Sequence, residues 1–364
     1  MKQQISKNLG YLLFFLLLSN NLIGNDIVLS DSEEVTVFKS LSNEPLKEVW
    51  IKTALDSLAS SKRTNKLFPA TLTYFDPDGR MINKSISIRP RGKSRRNACE
   101  FPPLRIKFNK DELVARGWSK KHKSLKLVTH CNEGLTANRN VLKEYLAYRI
   151  YNELAENSLK VQLLKVNYED IHTGTKLEKY AMLLEDIDEL AERLGGREVE
   201  GFSRKAKEFD KQNLQIFSVF QYMIGNTDWT IEMYRNVKFI QTEDGKKMKI
   251  IPYDFDSSGF VAPAYAKPNP NHKLQSIQQR LFLGKFSNKQ ERARVIELFK
   301  EKQASIYNLV KKFEKLDQLG RLELLSYLDS FYATINREIL LNKAMPLRNK
   351  KPRPSDMEGE YHLG

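Results

Sequence analysis

Apolar and polar residues alternate over several short stretches of the first half of the chain. "ATLTYF" and "RMINKSISIRPRG" flank the turn tetrapeptide "DPDG", which predicts a β-hairpin. "PLRIKF" and "SLKLVTH" alternate in the same way, so residues 35–130 read as β-rich. Within that span "VTVFKSLSNEP" reads as a strand and turn, and "LKEVWIKTALDSL" as helical or irregular. The period then changes. "NRNVLKEYLAYRIYNELAE" carries Val141, Leu142, Tyr145, Leu146, Tyr148, Arg149, Tyr151 and Leu154 in near-helical spacing, which predicts a helix. "KVQLLKVNYEDIHTGTKLEKYAMLLEDID" returns to strands around a turn at His172-Thr173-Gly174. From Asp188 onward helices dominate. "NLQIFSVFQYMIG" is an apolar helix ending at Gly225, and 288–316 and 320–344 read as long amphipathic helices. One hairpin interrupts them, "NVKFIQTEDGKKMKIIPYDFD", turned at Asp244-Gly245.

Strands that precede helices in this way predict an α+β fold of two lobes. The β-rich N-lobe would span 25–187 and carry one long helix. The helical C-lobe would span 188–345 and carry the hairpin. A cleft between such lobes is a common place for a ligand.

The chain ends differ from this body. Lys2 and Lys7 precede an apolar run from Leu9 to Leu18, and small or polar residues follow up to Gly24. That order predicts a secretory signal over 1–24, cleaved near Gly24, and an exported product in the periplasm, the cell envelope or the medium. The apolar run is short for a bilayer span, and no stable membrane span is expected. The tail 346–364, with Pro352 and Pro354 among charges, predicts disorder. Export also bears on Cys99 and Cys131, because an oxidising compartment favours a bridge between them. The formal charge of +15 over 364 residues favours anionic partners. Nucleic acid is not expected, because no aromatics are interleaved in the basic run "RPRGKSRRN".

Three places concentrate polar residues on apolar scaffolding. In "IRPRGKSRRNACEFPPLRIKF", Arg89, Arg91, Lys93, Arg95 and Arg96 crowd around Gly92, and guanidinium forks suit phosphate oxygens. In "GNTDWTIEMYRNVKF", Asp228 follows a helix end and Asn236 opens a strand. In "IIPYDFDSSGF", Asp254 and Asp256 close the hairpin, and paired carboxylates suit a hard cation. Taken singly, each has an ordinary explanation: a solvated basic loop, a helix cap, or a strand running into a turn. Their order is more telling. An acid, then an amide, then a hairpin ending in acids is the layout of a kinase catalytic region. In that scheme a helix glutamate, Glu144, steadies a basic strand residue on the nucleotide phosphates. Lys126, Arg105 and Lys107 are the candidates, and the sequence does not choose among them. Neither GxGxxG nor GxxxxGK[ST] occurs, which excludes an ordinary protein kinase and a P-loop NTPase.

With these residues in place, the chain resembles the CotH kinase-like family. The carrying segments are "IRPRGKSRR…FPPLRIKF", "KLVTHC…NRNVLKEYLAYRIYNEL", "YAMLLEDID", "IGNTDW…RNVKF" and "IIPYDFDSSG", over roughly 86–260. The resemblance implies a two-lobed atypical kinase fold and transfer of phosphate from ATP to protein serine with Mg2+ or Mn2+. By the same resemblance, Asp228 is the catalytic acid, while Asn236, Asp254 and Asp256 hold metal. Arg91 is the RxRG arginine, and Glu185 is the acid that ends the strand before the lobe crossover. The protein substrate is left unidentified. The alternative is a catalytically inactive envelope scaffold that binds an anionic or phosphorylated partner.

Overall fold

Lys47, Val49, Ile51 and Thr53 are buried while Glu48, Trp50 and Lys52 face outward, so the first strand is set by strict alternation. This is a correction to the irregular reading of "LKEVWIKTALDSL". The computed structural model describes residues 35–347, except Asn43, Pro45, Lys93, Glu133, Leu135, Lys246 and the Ser94 side chain. The expected signal over 1–24 lies outside the described residues, as does the tail from 348. Leu347, at the start of that tail, forms a bridge with Phe286.

Seven strands close into a barrel: β1 (Lys47–Thr53), β2 (Phe68–Phe75), β3 (Met81–Pro90), β4 (Leu104–Phe108), β5 (Ser124–Val128), β6 (Val161–Asp170) and β7 (Lys176–Leu184). Their order is β1-β2-β3-β4-β5-β7-β6, and β1 pairs in parallel with β6 to shut the ring. Closure leaves no open edge and fills the interior with side chains such as Val49, Ile88, Leu104, Leu127 and Val166. The outward positions of β3, β4 and β5 are then free for polar work.

Short helices decorate this barrel: α1 (Val37–Leu41), α2 (Leu55–Ser60), α3 (Ser94–Ala98) and α4 (Lys110–Ala115). The first replaces the strand expected at "VTVFKSL". Thr36 caps it by accepting from the Lys39 N–H, and Val37, Phe38 and Leu41 turn inward. The long helix expected near 138–156 is α5 (Ala137–Leu154). It packs on β6 and β7 on one side and on the helical layer on the other. That layer holds α6 (Ile187–Arg193), α7 (Lys211–Met223), α8 (Lys289–Glu301), α9 (Gln303–Lys311), α10 (Gln318–Ile335) and α11 (Glu338–Ala344). The single helix expected over 288–316 breaks at Lys302. The bend lets Ile306 and Val310 reach the α5 side while α8 stays on α7. A small sheet of β8 (Gly196–Glu198), β9 (Val237–Thr242) and β10 (Lys249–Pro252) contains the expected hairpin, with Gly245 at φ 66° in its turn. The mixed architecture is therefore α+β, with the strands mainly before the helices.

Cys99 and Cys131 are joined by a disulfide, as the sequence leads one to expect. It spans 32 residues of chain and sits among buried groups. Replacing both cysteines by alanine is expected to lower stability by ~3–4 kcal/mol, the loop-closure entropy for that span. A urea titration reads this as a lower midpoint, with a slope that is equal or steeper because the unfolded chain is no longer cross-linked. A loss under ~1 kcal/mol would show that the bridge constrains little.

Candidate active site

The β9–β10 hairpin sets the site's geometry. Val237 pairs with Pro252, so Asn236 and Tyr253 abut at its open end, and the Tyr253 N–H donates to the Asn236 carbonyl at 3.2 Å. Two of the three expected metal ligands, Asn236 (φ 52°) and Asp254 (φ 61°), adopt left-handed backbone. Non-glycine residues tolerate this at a cost, and such strain concentrates at functional positions. Tyr148 of α5 fixes the second of them, accepting the Asp254 N–H at 3.0 Å. Beyond it the chain docks back onto the end of α7. The Gly259 N–H donates to the Gly225 carbonyl at 3.1 Å, and a Cβ on either glycine would collide with the Tyr327 hydroxyl. The Tyr327 ring therefore takes the space a side chain would need at both positions, and the 277–278 backbone also crowds Gly259.

Asp228 lies on the loop after α7. Its N–H donates to Asn226 Oδ1 at 2.9 Å, and its carboxylate meets Arg235 at 2.5 Å. Asn236 Nδ2 donates to the Asp228 carbonyl at 2.6 Å and to its Oδ2 at 3.0 Å. Both partners are acceptors, so the amide nitrogen must face them and the amide oxygen takes the other side. The structure thus brings Asp228, Asn236, Asp254 and Asp256 to one end of the hairpin.

Glu144 and Tyr148 stand one turn apart on α5, and both face this end. Arg95, projecting from α3, is nine-tenths buried and reaches Glu144 at 3.5 Å and Asp256 at 3.7 Å. It also donates to the Thr129 carbonyl at 2.7 Å. Two buried carboxyls, Glu144 and Asp256, and the half-buried Asp254 thus gather around one buried guanidinium. Burial, then Asp256, pushes the Asp254 carboxyl up to about 7, and the two aspartates share a hydrogen bond. Burial pushes Glu144 up to about 8 even with Arg95 beside it. Tyr265 adds a donor to Asp256 at 3.3 Å. The cavity left among Arg91, Glu144, Tyr148, Tyr253 and Asp254 is about 40 Å3.

The opposite wall is cationic. Arg89 faces Arg105, and Arg105 faces Lys126, in adjacent rungs across β3, β4 and β5. Like charges directly opposite one another destabilise a sheet. Arg91 completes the group by donating to the Tyr253 hydroxyl. Lys126 lies 5.2 Å from the Tyr253 ring, and burial, then Arg91, brings its pKa down to about 8. Among the described residues none of Arg91, Arg105 and Lys126 forms an ion pair, and Arg105 Nε is buried without a hydrogen-bond partner. Lys107 shares their strand face but lines a separate groove with Ser85, Lys110 and Lys123, so the structure does not bring it to this wall. Glu185 is also apart. Its carboxylate accepts a fork from Arg193 and the Lys160 N–H, and is thereby fully engaged. Lys93 lies outside the described residues.

Sequence reasoning passed over three contributors: Arg95 as the partner of Glu144, and Tyr148 and Tyr253 as clamps. A faint signal for Arg95 was present. Arg95 and Cys99 are four apart, so the helical turn that buries the bridged cysteine also turns Arg95 inward.

A divalent cation can be tested against these donors. Among the described residues no three His, Cys, Asp or Glu side chains form a metal-binding group. Two neighbouring carboxyls, Asp254 and Asp256, with the Asn236 amide oxygen at the same hairpin end, form a partial set. That set suits Mg2+, which keeps water and substrate phosphate as its remaining ligands.

No protein-family model and no curated protein matches this chain. Among solved structures, the crystal structure of a Helicobacter pylori proinflammatory kinase, CtkA, is similar over 62% of this chain and 91% of its own. The two are 14% identical, and the TM-score is 0.37. A likeness of that size carries no inference for this chain, and the site rests on its own geometry.

Proposed function

We propose that this protein is an exported atypical kinase that moves the terminal phosphoryl group of a nucleotide to a protein serine. One observation carries the reading. Among the described residues a group of cations without ion-pair partners, Arg91, Arg105 and Lys126, faces the carboxyls of Asp254 and Asp256, with Asp228 at the same hairpin end. A nucleotide's phosphates complement the cations. Asp254, Asp256 and Asn236 would hold Mg2+ or Mn2+, which when bound neutralises charge developing on the phosphates. The serine oxygen attacks the γ-phosphorus as the bond to the β-phosphate oxygen breaks. The nucleoside diphosphate leaves, and the hydroxyl proton passes to the Asp228 carboxylate. The disulfide fits an oxidising compartment, and no described helix is long and apolar enough to cross a membrane.

A second reading has support of its own. Arg95 already occupies the side chains of Glu144 and Asp256, and the adjoining cavity of about 40 Å3 has room for little more than water. That arrangement favours an inactive scaffold that binds an anionic partner on the cationic wall. Mature protein incubated with γ-labelled ATP and Mg2+ or Mn2+ separates the two. Label transfer with metal-dependent nucleotide binding supports the kinase. Anion binding that ignores metal and yields no transfer supports the scaffold.

Either reading makes the cationic wall pH-sensitive. A bound anion favours the charged form of Lys126, whose pKa is held down at about 8 in the folded protein. Affinity for a non-hydrolysable nucleotide is therefore full below that value and falls as pH rises through it. The expected fall is roughly tenfold, the value of one close charge. Calorimetry across that range should show a shallower profile for Lys126→Met than for wild type, the remainder belonging to Asp254 and Glu144, and an unchanged one would remove Lys126 from the wall.

A further inference from the structure

A second cavity, of about 710 Å3, lies beside the Asp228 loop and shares no residue with the site described above. Its volume falls within the usual range of ligand sites. The floor is apolar. Phe209, Trp229 and Ile231 are buried there, with Leu214 and Leu283 packed against them. Trp229 is 7% exposed, and its indole N–H is buried without an acceptor.

The rim is basic. Lys207, Lys247 and Lys285 are exposed at the cavity and form no ion pair among the described residues, while Lys211 is tied to Glu291. Lys247 donates to the Lys207 carbonyl at 2.8 Å, which leaves its charge unmet. Two acids also line the cavity, Asp210 and Glu232. Asp210 is already engaged, capping α7 through the Asn213 N–H at 2.8 Å and meeting Lys249 at 3.4 Å. The uncompensated charge of the rim is therefore positive.

Two apolar side chains extend the surface past the cavity. Phe202 is 70% exposed and Met233 is 65% exposed. Their loops are joined where the Ser203 N–H donates to the Glu232 carbonyl at 2.7 Å. A small anion confined to the cavity would leave both in water. A peptide long enough to cross the rim covers them, and exposed apolar groups beside a groove mark this kind of surface.

We infer that this groove binds an acidic, extended segment of a protein substrate, with an apolar side chain on the Phe209–Trp229–Ile231 floor and Asp or Glu residues on the lysine rim. Trp229 directly follows Asp228, so a chain held in the groove carries its serine toward that acid. The delivery of the serine rests on the kinase reading, whereas the binding does not.

The test uses the full chain and three labelled peptides followed by fluorescence anisotropy. One peptide carries leucine and glutamate around a single serine. In the second, lysine replaces glutamate, and in the third, serine replaces leucine. The acidic peptide is expected to bind at least ~10-fold more tightly than either control. Its affinity should fall as salt is raised. Lys207→Glu combined with Lys285→Glu should weaken it by ~10-fold or more, while nucleotide binding by the same variant stays at the wild-type level. Phe202→Ser with Met233→Ser should weaken it without altering the salt dependence. Equal binding of the acidic and lysine peptides, or wild-type affinity in the lysine variant, overturns the groove. Selective binding of the acidic peptide without label transfer to its serine upholds the groove and counts against the kinase.

Discussion

Asp228→Ala is expected to reduce phosphoryl transfer by at least ~10²-fold, within the range a positioned general base contributes. Nucleotide affinity should change little. Asp228 is held by Arg235 at 2.5 Å and by Asn236 Nδ2 at 3.0 Å on the loop after α7, whereas the cationic wall belongs to the barrel. Asp228→Asn is the sharper probe. It keeps the size and one oxygen but removes the basicity, and should fall nearly as far. Asp254→Ala should differ in kind, losing metal-dependent nucleotide binding together with transfer. Single-turnover transfer and nucleotide binding, measured side by side, separate these patterns. If Asp228→Asn retains most of the wild-type rate, Asp228 is not the base. If Asp254→Ala binds nucleotide normally, the hairpin acids hold no cation.

The largest effect on stability is expected at Arg95. Removing one partner of a buried ion pair costs ~3–5 kcal/mol, because the remaining charge has no counterpart. Glu144 at 3.5 Å and Asp256 at 3.7 Å are both left in that condition by Arg95→Ala. The pH dependence has a definite sign. Glu144 and Asp254 already have folded-state pKa values raised to about 8 and about 7, so their contribution to stability is present at low pH and lost as pH rises through those values. Removing the guanidinium raises both further. The gap between wild type and Arg95→Ala should therefore widen from acid to alkaline pH. Urea unfolding at several pH values reads this directly. A cost under ~1 kcal/mol at alkaline pH, or a gap that narrows as pH rises, would show that Arg95 does not neutralise this cluster.

The disulfide is part of the same arrangement. The Cys99 N–H donates to the Arg95 carbonyl at 2.9 Å, and Cys131 lies two residues beyond Thr129, whose carbonyl takes the guanidinium. The bridge thus staples the two segments that hold Arg95. In sequence it reads as a compartment marker, and in the structure it also fixes a charged side chain.

Much of the molecule could be read from local pattern. Strands β2 to β7, helix α5 and the β9–β10 hairpin follow from period and turn chemistry. The hairpin alone puts Asn236 beside Tyr253, because register is set by strand pairing and Gly245 sets the turn. Local pattern misled at the two ends of the scale. "VTVFKSL" has strand-like residues, yet a Thr36 cap and three inward side chains make it a helix. Residues 288–316 keep one amphipathic period, but packing on two neighbours bends them at Lys302.

The chemistry divides along the same line. The sequence by itself determined which residue types are present, their order, and which of them a single hairpin or helical turn brings together. It thereby determined Asp228, Asn236, Asp254 and Asp256 as a group and Glu144 as the helix acid. Only the tertiary structure decided among the basic residues. Barrel closure places Arg105 opposite Lys126 and puts Lys107 in another groove, while α3 turns Arg95 onto Glu144. It also decided that Glu185 belongs to Arg193. These choices depend on contacts between segments distant in sequence. Charge compensation and burial are set by those contacts, and neither is encoded in the spacing of any one segment.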